Sequence, residues 1–377
     1  MDHSKKVLIL HATAGHGHQK AAQALEEACR KLLPSAEVRI EDTLRFTPGF
    51  FGSGYKNTYL FLIQHVPVLW GFCYYFFDQR WLYRIVRPLR RFVNRRMAAA
   101  LERMVVEEQP SVILSTHFLA TEVCGVLRKE KRITCPVVTV ITDYLPHYFW
   151  IEDGVDLYVV AADETKAELL RRGVSADKIR VLGIPVEAKF ARALDRSTIC
   201  KRLGIDDAVF TLLLTSGGAG VGHAEKMIEM FFALQKPLQI LAVCGTNRAL
   251  FETLGRRFGN RVGFKAFGFV DNMDELMEAA DLVVGKAGGL TVSESLAKVR
   301  PIIMFEPVPG QETRNAVCVE HRGAGFIAAN YKEVIQRVSE LMDQPSELLR
   351  LKQNVRSASK PSAAADIIEM VKKQYGL

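Results

Sequence analysis

Four short segments combine side chains and glycines at spacings that suit chemistry. The first is His11-Ala12-Thr13-Ala14-Gly15-His16-Gly17-His18, which follows the apolar run at 7–10 and precedes a helical pattern that continues through Leu33. Glycines between a strand and a helix N-terminus let a ligand approach the backbone and meet unpaired N–H groups. Gly15-His16-Gly17 has no third glycine three residues on, so it is not a dinucleotide fingerprint. His18 falls in the first helical turn, where the macrodipole disfavours an imidazolium. A ring kept neutral near pH 7 suits a general base, and equally a capping or structural histidine. His11, His16 and His18 have no cysteine or carboxylate nearby to complete a zinc set.

The other three segments lie in the second half. Ser216-Gly217-Gly218-Ala219-Gly220-Val221-Gly222 follows an apolar run and precedes a helix, a phosphate cradle without the lysine of a P-loop. Lys286-Ala287-Gly288-Gly289-Leu290-Thr291 opens another helix, in which Thr291 and Glu294 also match a capping box. Pro307-Val308-Pro309-Gly310-Gln311-Glu312, with Asn315 one turn on, offers polar tips that could hydrogen-bond a polyhydroxylated ligand. Loops at the carboxyl ends of parallel strands are where such sheets bind ligands, so the three together outweigh any one.

The elements that must position these loops alternate in type. β-branched runs at 7–10, 38–41, 112–115, 137–141, 157–160 and 179–182 alternate with helical patterns, and the series restarts at 210–214, 238–243, 262–266, 282–284, 302–305 and 325–328. This is the signature of parallel sheets with crossover helices. The 377 residues allow two domains. We place the junction near 185–204, giving domains 1–190 and 191–355, with a C-terminal helix at 356–377 that can return to the first domain.

Composition narrows the class. Half the residues are hydrophobic and a quarter charged, which excludes disordered and low-complexity readings. The seven cysteines are scattered with no C-x-x-C pair, as for buried free thiols in the cytoplasm, and the polar start of the chain is not a signal peptide. The net charge of +8 points to an anionic partner, which could be nucleic acid, a membrane surface or a charged substrate. From 57 to 77 there is no charged residue, but Gln64, His65 and Pro67 argue against a membrane span and Pro67 favours two short segments.

From 79 to 101 there are seven arginines and no acidic residue. On a helix, Arg80, Arg84, Arg87, Arg91 and Arg95 form one stripe, and Trp81, Ile85, Leu89 and Phe92 lie towards the other side. Such a helix can lie at a bilayer surface with its arginines on lipid phosphates, or pack on its own domain with a solvated basic face.

Taken in order, several of these segments resemble the monogalactosyldiacylglycerol synthase and processive diacylglycerol glucosyltransferase family. The matching landmarks are Gly15-His16-Gly17-His18, Thr142-Asp143-Tyr144 with His147 and Trp150, Gly183-Ile184-Pro185-Val186, Cys244-Gly245-Thr246-Asn247, Lys286 to Glu294, and Pro309-Gly310-Gln311-Glu312 with Asn315. The resemblance implies an α/β GT-B fold, two Rossmann-like domains facing across a cleft. It implies an inverting transferase that moves glucose or galactose from a UDP-sugar to membrane diacylglycerol, without a metal.

By carry-over Glu294 would hold the ribose, the backbone at Phe269 and Val270 the uracil, and Gly17, Ser216, Gly217, Gly218, Gly220, Lys286, Gly288, Gly289, Leu290 and Thr291 the rest of the nucleotide. Gln311, Glu312 and Asn315 would meet the sugar. His18 is the expected base, with Asp143 as orienter or alternative. His117, His147 and Trp150 would line the acceptor side, or else only pack or cap. The acceptor favours the membrane reading of 55–96, with Trp81, Arg84, Arg87 and Arg91 on anionic lipid at the inner face of the plasma membrane. No nucleic-acid motif accompanies the basic stripe. Two alternatives stay open: an N-acetylglucosaminyltransferase acting on a polyprenyl-linked acceptor, and a nucleotide-sugar-binding regulator without turnover.

Overall fold

The computed structural model describes residues 5–13, 15–49, 54, 58, 61–63, 65–215 and 224–377. The chain forms two compact units. The first comprises Met1–Ala188, Val308–Arg314 and Ser362–Leu377; the second comprises Lys189–Pro307 and Asn315–Pro361.

In the first unit, strands β1 (Lys6–His11), β2 (Glu37–Asp42), β3 (Val112–Ser115), β4 (Val137–Val140), β5 (Leu157–Val160) and β6 (Ile179–Val181) form one parallel sheet in the order β2-β1-β3-β4-β5-β6. β3, β4 and β5 are buried at every position, as aliphatic runs covered on both faces must be. The period of two sorts their side chains. Val7, Ile9, Leu114, Val138 and Val159 pack with Leu25 and Cys29 of the His16–Leu32 helix and with Ile367, Ile368 and Val371 of the Ala363–Tyr375 helix. Leu8, Leu10, Ile113, Val137 and Val160 pack on the other face with Leu101, Val105, Val123 and Leu127. Between β2 and β3 the chain inserts the Pro67–Phe77 and Arg80–Met97 helices. Pro67 takes the first helical position, where its missing N–H costs nothing, and the Arg80–Met97 helix continues through Pro88.

The second unit has strands β7 (Phe210–Thr215), β8 (Leu238–Val243), β9 (Phe264–Phe267), β10 (Leu282–Gly285), β11 (Ile302–Phe305) and β12 (Gly325–Ala328). They form a parallel sheet in the order β12-β11-β10-β7-β8-β9. Counted from β7, this is the doubly wound order of a dinucleotide-binding fold. Every strand expected from the sequence is present. β9 starts two residues later than expected, because Gly263 adopts a left-handed φ of 79° and Val262 is 97% exposed.

Strand order reverses between β1 and β3 in the first sheet and between β7 and β10 in the second. Crevices beyond the carboxyl ends of strands at such reversals are the usual ligand sites of open α/β sheets. The His11–His18 segment follows β1, and the 216–223 and Lys286–Thr291 segments follow β7 and β10. The His11–His18 and Lys286–Thr291 loops therefore leave the sheets where the topology opens.

Candidate active site

His18 stands in the first turn of the His16–Leu32 helix, capped by Gly15 without a side-chain bond. Its Nδ1 lies 2.8 Å from the Thr116 carbonyl, which follows β3. A carbonyl only accepts, so Nδ1 carries the proton and Nε2 keeps the lone pair. The Thr142 hydroxyl is 2.9 Å from the same Nδ1, and the Thr116 hydroxyl donates to the His18 carbonyl at 2.9 Å. Burial lowers the imidazole pKa to about 4, against the opposing pull of the Thr116 carbonyl. The ring is therefore neutral at pH 7 chiefly through desolvation, where the sequence suggested the helix dipole.

Three further expected residues gather around it. His117 meets the His18 ring edge-on at 4.8 Å, and its Nδ1 accepts the Leu119 N–H at 3.2 Å, capping the Phe118–Lys129 helix. The Trp150 ring centre lies 6.2 Å from that of His18, and its indole N–H donates to Asp143 Oδ2 at 3.2 Å. At 1% exposure Trp150 is a buried bridge between His18 and Asp143, so of the two readings open for it the structure displays packing. His147 caps the Tyr148–Trp150 turn by accepting the Phe149 N–H at 3.1 Å, and its Nε2 donates to the Tyr74 carbonyl at 3.0 Å. Of the two readings open for His117 and His147, the structure displays capping for both, and His117 also touches the candidate base.

Asp143 is 5% exposed, and burial pushes its carboxyl up to about 6 against the bonds from Gln311 and Trp150. The Gln311 amide donates to Asp143 Oδ1 at 2.5 Å. Val308–Arg314, which falls within the stretch 191–355 expected as the second domain, groups with the first unit, and the helix Gln311–His321 runs on from it into the second. Glu312 turns back on its own loop, accepting the Val308 N–H at 2.9 Å.

In the second unit the Gly289–Ala297 helix begins at Gly288, whose extended backbone makes it the N-cap with no side-chain bond. This displaces the capping-box reading. Thr291 lies within the first turn and Glu294 one turn further, so Glu294 is not a cap. The amides of Gly289, Leu290 and Thr291 lie in that first turn, where an anion can meet them. The Lys286 ammonium donates to the Glu306 carbonyl at 2.9 Å. Asn315, expected at the sugar, is fully buried, and its amide donates to the Ala287 carbonyl at 3.0 Å. It supports the glycine loop from behind. Phe269, just beyond β9, is 64% exposed. Ser216, Gly217, Gly218 and Gly220 lie outside the described residues.

The largest correction concerns the Arg80–Met97 helix. Arg87, Arg91 and Arg95 of its arginine stripe, with Arg90 beside them, pair with carboxylates that other segments of its own unit supply, while Arg80 at the start of the helix is exposed. Glu152, 3% exposed, accepts from Arg87 at 3.0 Å, from Arg90 at 3.1 Å and from Arg91. Arg90 also pairs with buried Glu122, and Arg95 with Glu102 and Glu130. Arg87 and Arg91, expected on lipid phosphates, are held by these ion pairs, whereas Arg84 is exposed. The other face is apolar and open: Trp81, Ile85, Leu89 and Phe92 are 59–67% exposed. Val68 and Phe72 of the Pro67–Phe77 helix are exposed as well, at 80% and 64%. A row of large apolar side chains on two successive helices is unusual for a surface in water. Among the described residues no helix is long and apolar enough to cross a membrane.

Sequence reasoning missed Thr116, whose carbonyl fixes the His18 tautomer, Thr142, whose hydroxyl meets the same nitrogen, and Tyr74, Asp78 and Arg314, which pack beside His147. A charged Asp78 closing the uncharged stretch was the one available signal for the last group.

Comparison with known proteins bears on this geometry. Residues 18–186 match the family described as monogalactosyldiacylglycerol (MGDG) synthase, and residues 212–371 match the glycosyltransferase family 28 C-terminal domain. The chain is 30% identical over 375 residues to the processive diacylglycerol beta-glucosyltransferase of Bacillus cytotoxicus, covering 97% of this chain and 93% of that protein. The enzyme of the same name from Bacillus cereus is also 30% identical, with the same coverage. Among solved structures, Acinetobacter baumannii MurG aligns over 98% of this chain and 99% of its own, with a TM-score of 0.64 and 16% identity. Anabaena HepE, solved with UDP and glucose, aligns over 98% of this chain and all of its own, with a TM-score of 0.56 and 15% identity. These two likenesses bear on the fold alone, the GT-B class with its two Rossmann-like parallel sheets. With a relative this similar along nearly its whole length, the chain belongs to the monogalactosyldiacylglycerol synthase and processive diacylglycerol glucosyltransferase family of glycosyltransferases.

Proposed function

We propose that the protein transfers a hexose, glucose or galactose, from its UDP-sugar to diacylglycerol in a membrane, inverting the anomeric carbon. The diacylglycerol hydroxyl attacks C1 of the sugar, the bond from C1 to the diphosphate oxygen breaks, and UDP leaves with the electron pair. The hydroxyl proton passes to His18 Nε2. The observation that carries this role is the Thr116 contact, which sets the proton on Nδ1 and leaves Nε2 as the basic atom. Asp143, with a donor on each oxygen, sets the Gln311 amide and the Trp150 ring beside this base.

In this reading the UDP-sugar is held by the second unit's loops at its strand-order reversal. Glu294 takes the ribose, and the backbone at Phe269 and Val270 takes the uracil. The amides of the 216–223 segment and of Gly289 to Thr291 meet the diphosphate. Amides fixed at a helix N-terminus stabilise the departing negative charge, so no metal is assigned to the chemistry. The relatives' names support diacylglycerol as acceptor, and the UDP and glucose seen with HepE support the donor class.

Diacylglycerol stays in the bilayer, so the enzyme must work at its surface. We place the exposed apolar rows of the Pro67–Phe77 and Arg80–Met97 helices on the inner face of the plasma membrane, with Arg84 on anionic headgroups. The test is incubation with diacylglycerol vesicles and UDP-glucose, UDP-galactose or UDP-N-acetylglucosamine, followed by mass spectrometry of the lipids. A hexosyldiacylglycerol from one of the first two is expected. Product only from the third with a polyprenyl acceptor, or UDP-sugar binding without transfer, would overturn the proposal.

A further inference from the structure

The Pro67–Phe77 and Arg80–Met97 helices are joined by Asp78 and Gln79, and Asp78 does not sit as a surface turn residue would. It is 6% exposed, and both its oxygens are engaged by groups from three other parts of the chain. Arg172, at the end of the Asp163–Arg171 helix, grips it with two bonds of 2.7 and 2.9 Å. The Tyr148 N–H donates at 2.7 Å from the segment that carries Asp143, His147 and Trp150. The Arg314 guanidinium donates at 2.5 Å from the end of Val308–Arg314. Burial alone would raise this carboxyl, but the Arg172 and Arg314 guanidinium groups around it hold it below its ordinary range.

The same helix pair touches Val308–Arg314 at two more points. A Cβ on Gly71 would stand 2.5 Å from the Pro309 Cβ, so the helix has a glycine where the proline lies. Gly310 takes a left-handed φ of 105°, and a Cβ there would stand 2.8 Å from the Tyr74 ring. Arg314 lies over the Tyr74 and Tyr75 rings at 5.1 and 5.2 Å. Gln311 follows Gly310 directly, and its amide is the one that reaches Asp143. The backbone that aims Gln311 is thus held on one side by Gly71 and Tyr74 and on the other by the Asp78–Arg314 pair.

We propose that Asp78 is a positioning residue: through Arg314 and Tyr148 it fixes Gln311 against Asp143, and so ties the helix pair with the exposed apolar face to the geometry of the catalytic centre. The inference rests on the transferase reading above. It goes further by making the seating of those two helices a condition for turnover, not only for reaching the lipid.

The test is a double-mutant cycle on the full chain with the active UDP-hexose and diacylglycerol vesicles. Asp78→Asn keeps the shape but cannot pair with two guanidinium groups. A misplacement of about an ångström costs on the order of 10²-fold in rate. We therefore expect kcat to fall by about tenfold to a hundredfold, with vesicle binding and UDP affinity unchanged. In a Gln311→Ala background the same substitution should have less than about a twofold further effect, because Asp78 acts through Gln311. Arg314→Gln, which removes one of the bonds, should repeat the pattern and serves if Asp78→Asn does not fold. Unchanged kcat, or losses that multiply in full in the double variant, would overturn the proposal. Absence of transfer by the unaltered chain with every UDP-hexose would instead refute the transferase reading.

Discussion

Replacing Ile85 and Leu89 with serine probes how the protein meets a lipid surface. These side chains are 67% and 66% exposed and touch the core little, so the substitutions should leave the fold within about 0.5 kcal/mol of the parent. Full burial of such a side chain is worth roughly 1.5–3 kcal/mol. At two-thirds exposure, insertion into a bilayer returns about 1–2 kcal/mol each. The double variant should therefore lose about 2–4 kcal/mol, which is roughly 30- to 700-fold in partition. The assay is flotation with neutral phosphatidylcholine vesicles at high ionic strength, where attraction between charges is screened and apolar insertion remains. The parent should float and the variant should stay in solution, while thermal melts and UDP binding coincide. If the variant floats as well as the parent, or if salt alone releases the parent, the apolar face does not carry the docking.

Three other substitutions test separate parts of the account. Glu152→Gln removes a buried carboxylate from beneath three arginines and should destabilise the first unit by roughly 3–5 kcal/mol in a denaturant titration; a loss under 1 kcal/mol would show that the arginines are not held there. Asp143, raised to about 6 from 3.8 by burial, binds its proton more readily when folded, so its contribution to stability falls as pH rises from about 4 to about 6. That contribution spans up to about 3 kcal/mol, and the difference in unfolding free energy between Asp143→Asn and the parent should move by that order over the window; a pH-independent difference would refute the shift. Glu294→Ala should weaken UDP binding about tenfold or more by calorimetry and leave vesicle binding alone, whereas unchanged affinity would remove Glu294 from the ribose site.

The central strands such as β3, β4 and β5 were legible because short aliphatic runs buried on both faces leave few alternatives, and β9 moved only where Gly263 ends the turn before it. The glycine loops were legible for the same reason, as they must follow those strands. What a helical wheel does not contain is which face turns inward. The Arg80–Met97 helix has one basic and one apolar face, and the choice depends on Glu122 and Glu152, acidic side chains far along the chain that happen to lie beneath it. Their burial costs so much that the arginines must come to them, which leaves the apolar side chains outside. Likewise Thr291 and Glu294 have the spacing of a capping box, but the helix starts earlier, at Gly288. Long-range pairs such as Gln311 with Asp143 and Arg314 with Asp78 leave no local pattern at all.

Turnover of His18→Ala tests most directly whether His18 Nε2 takes the acceptor proton. The variant and the parent would be given the same UDP-hexose and diacylglycerol vesicles, and glycolipid formation would be compared beside donor affinity. General-base loss predicts a fall in kcat of about 10²- to 10⁴-fold with UDP-sugar affinity within about twofold of the parent. Near-normal turnover would contradict the account, and so would a loss explained wholly by weaker donor binding.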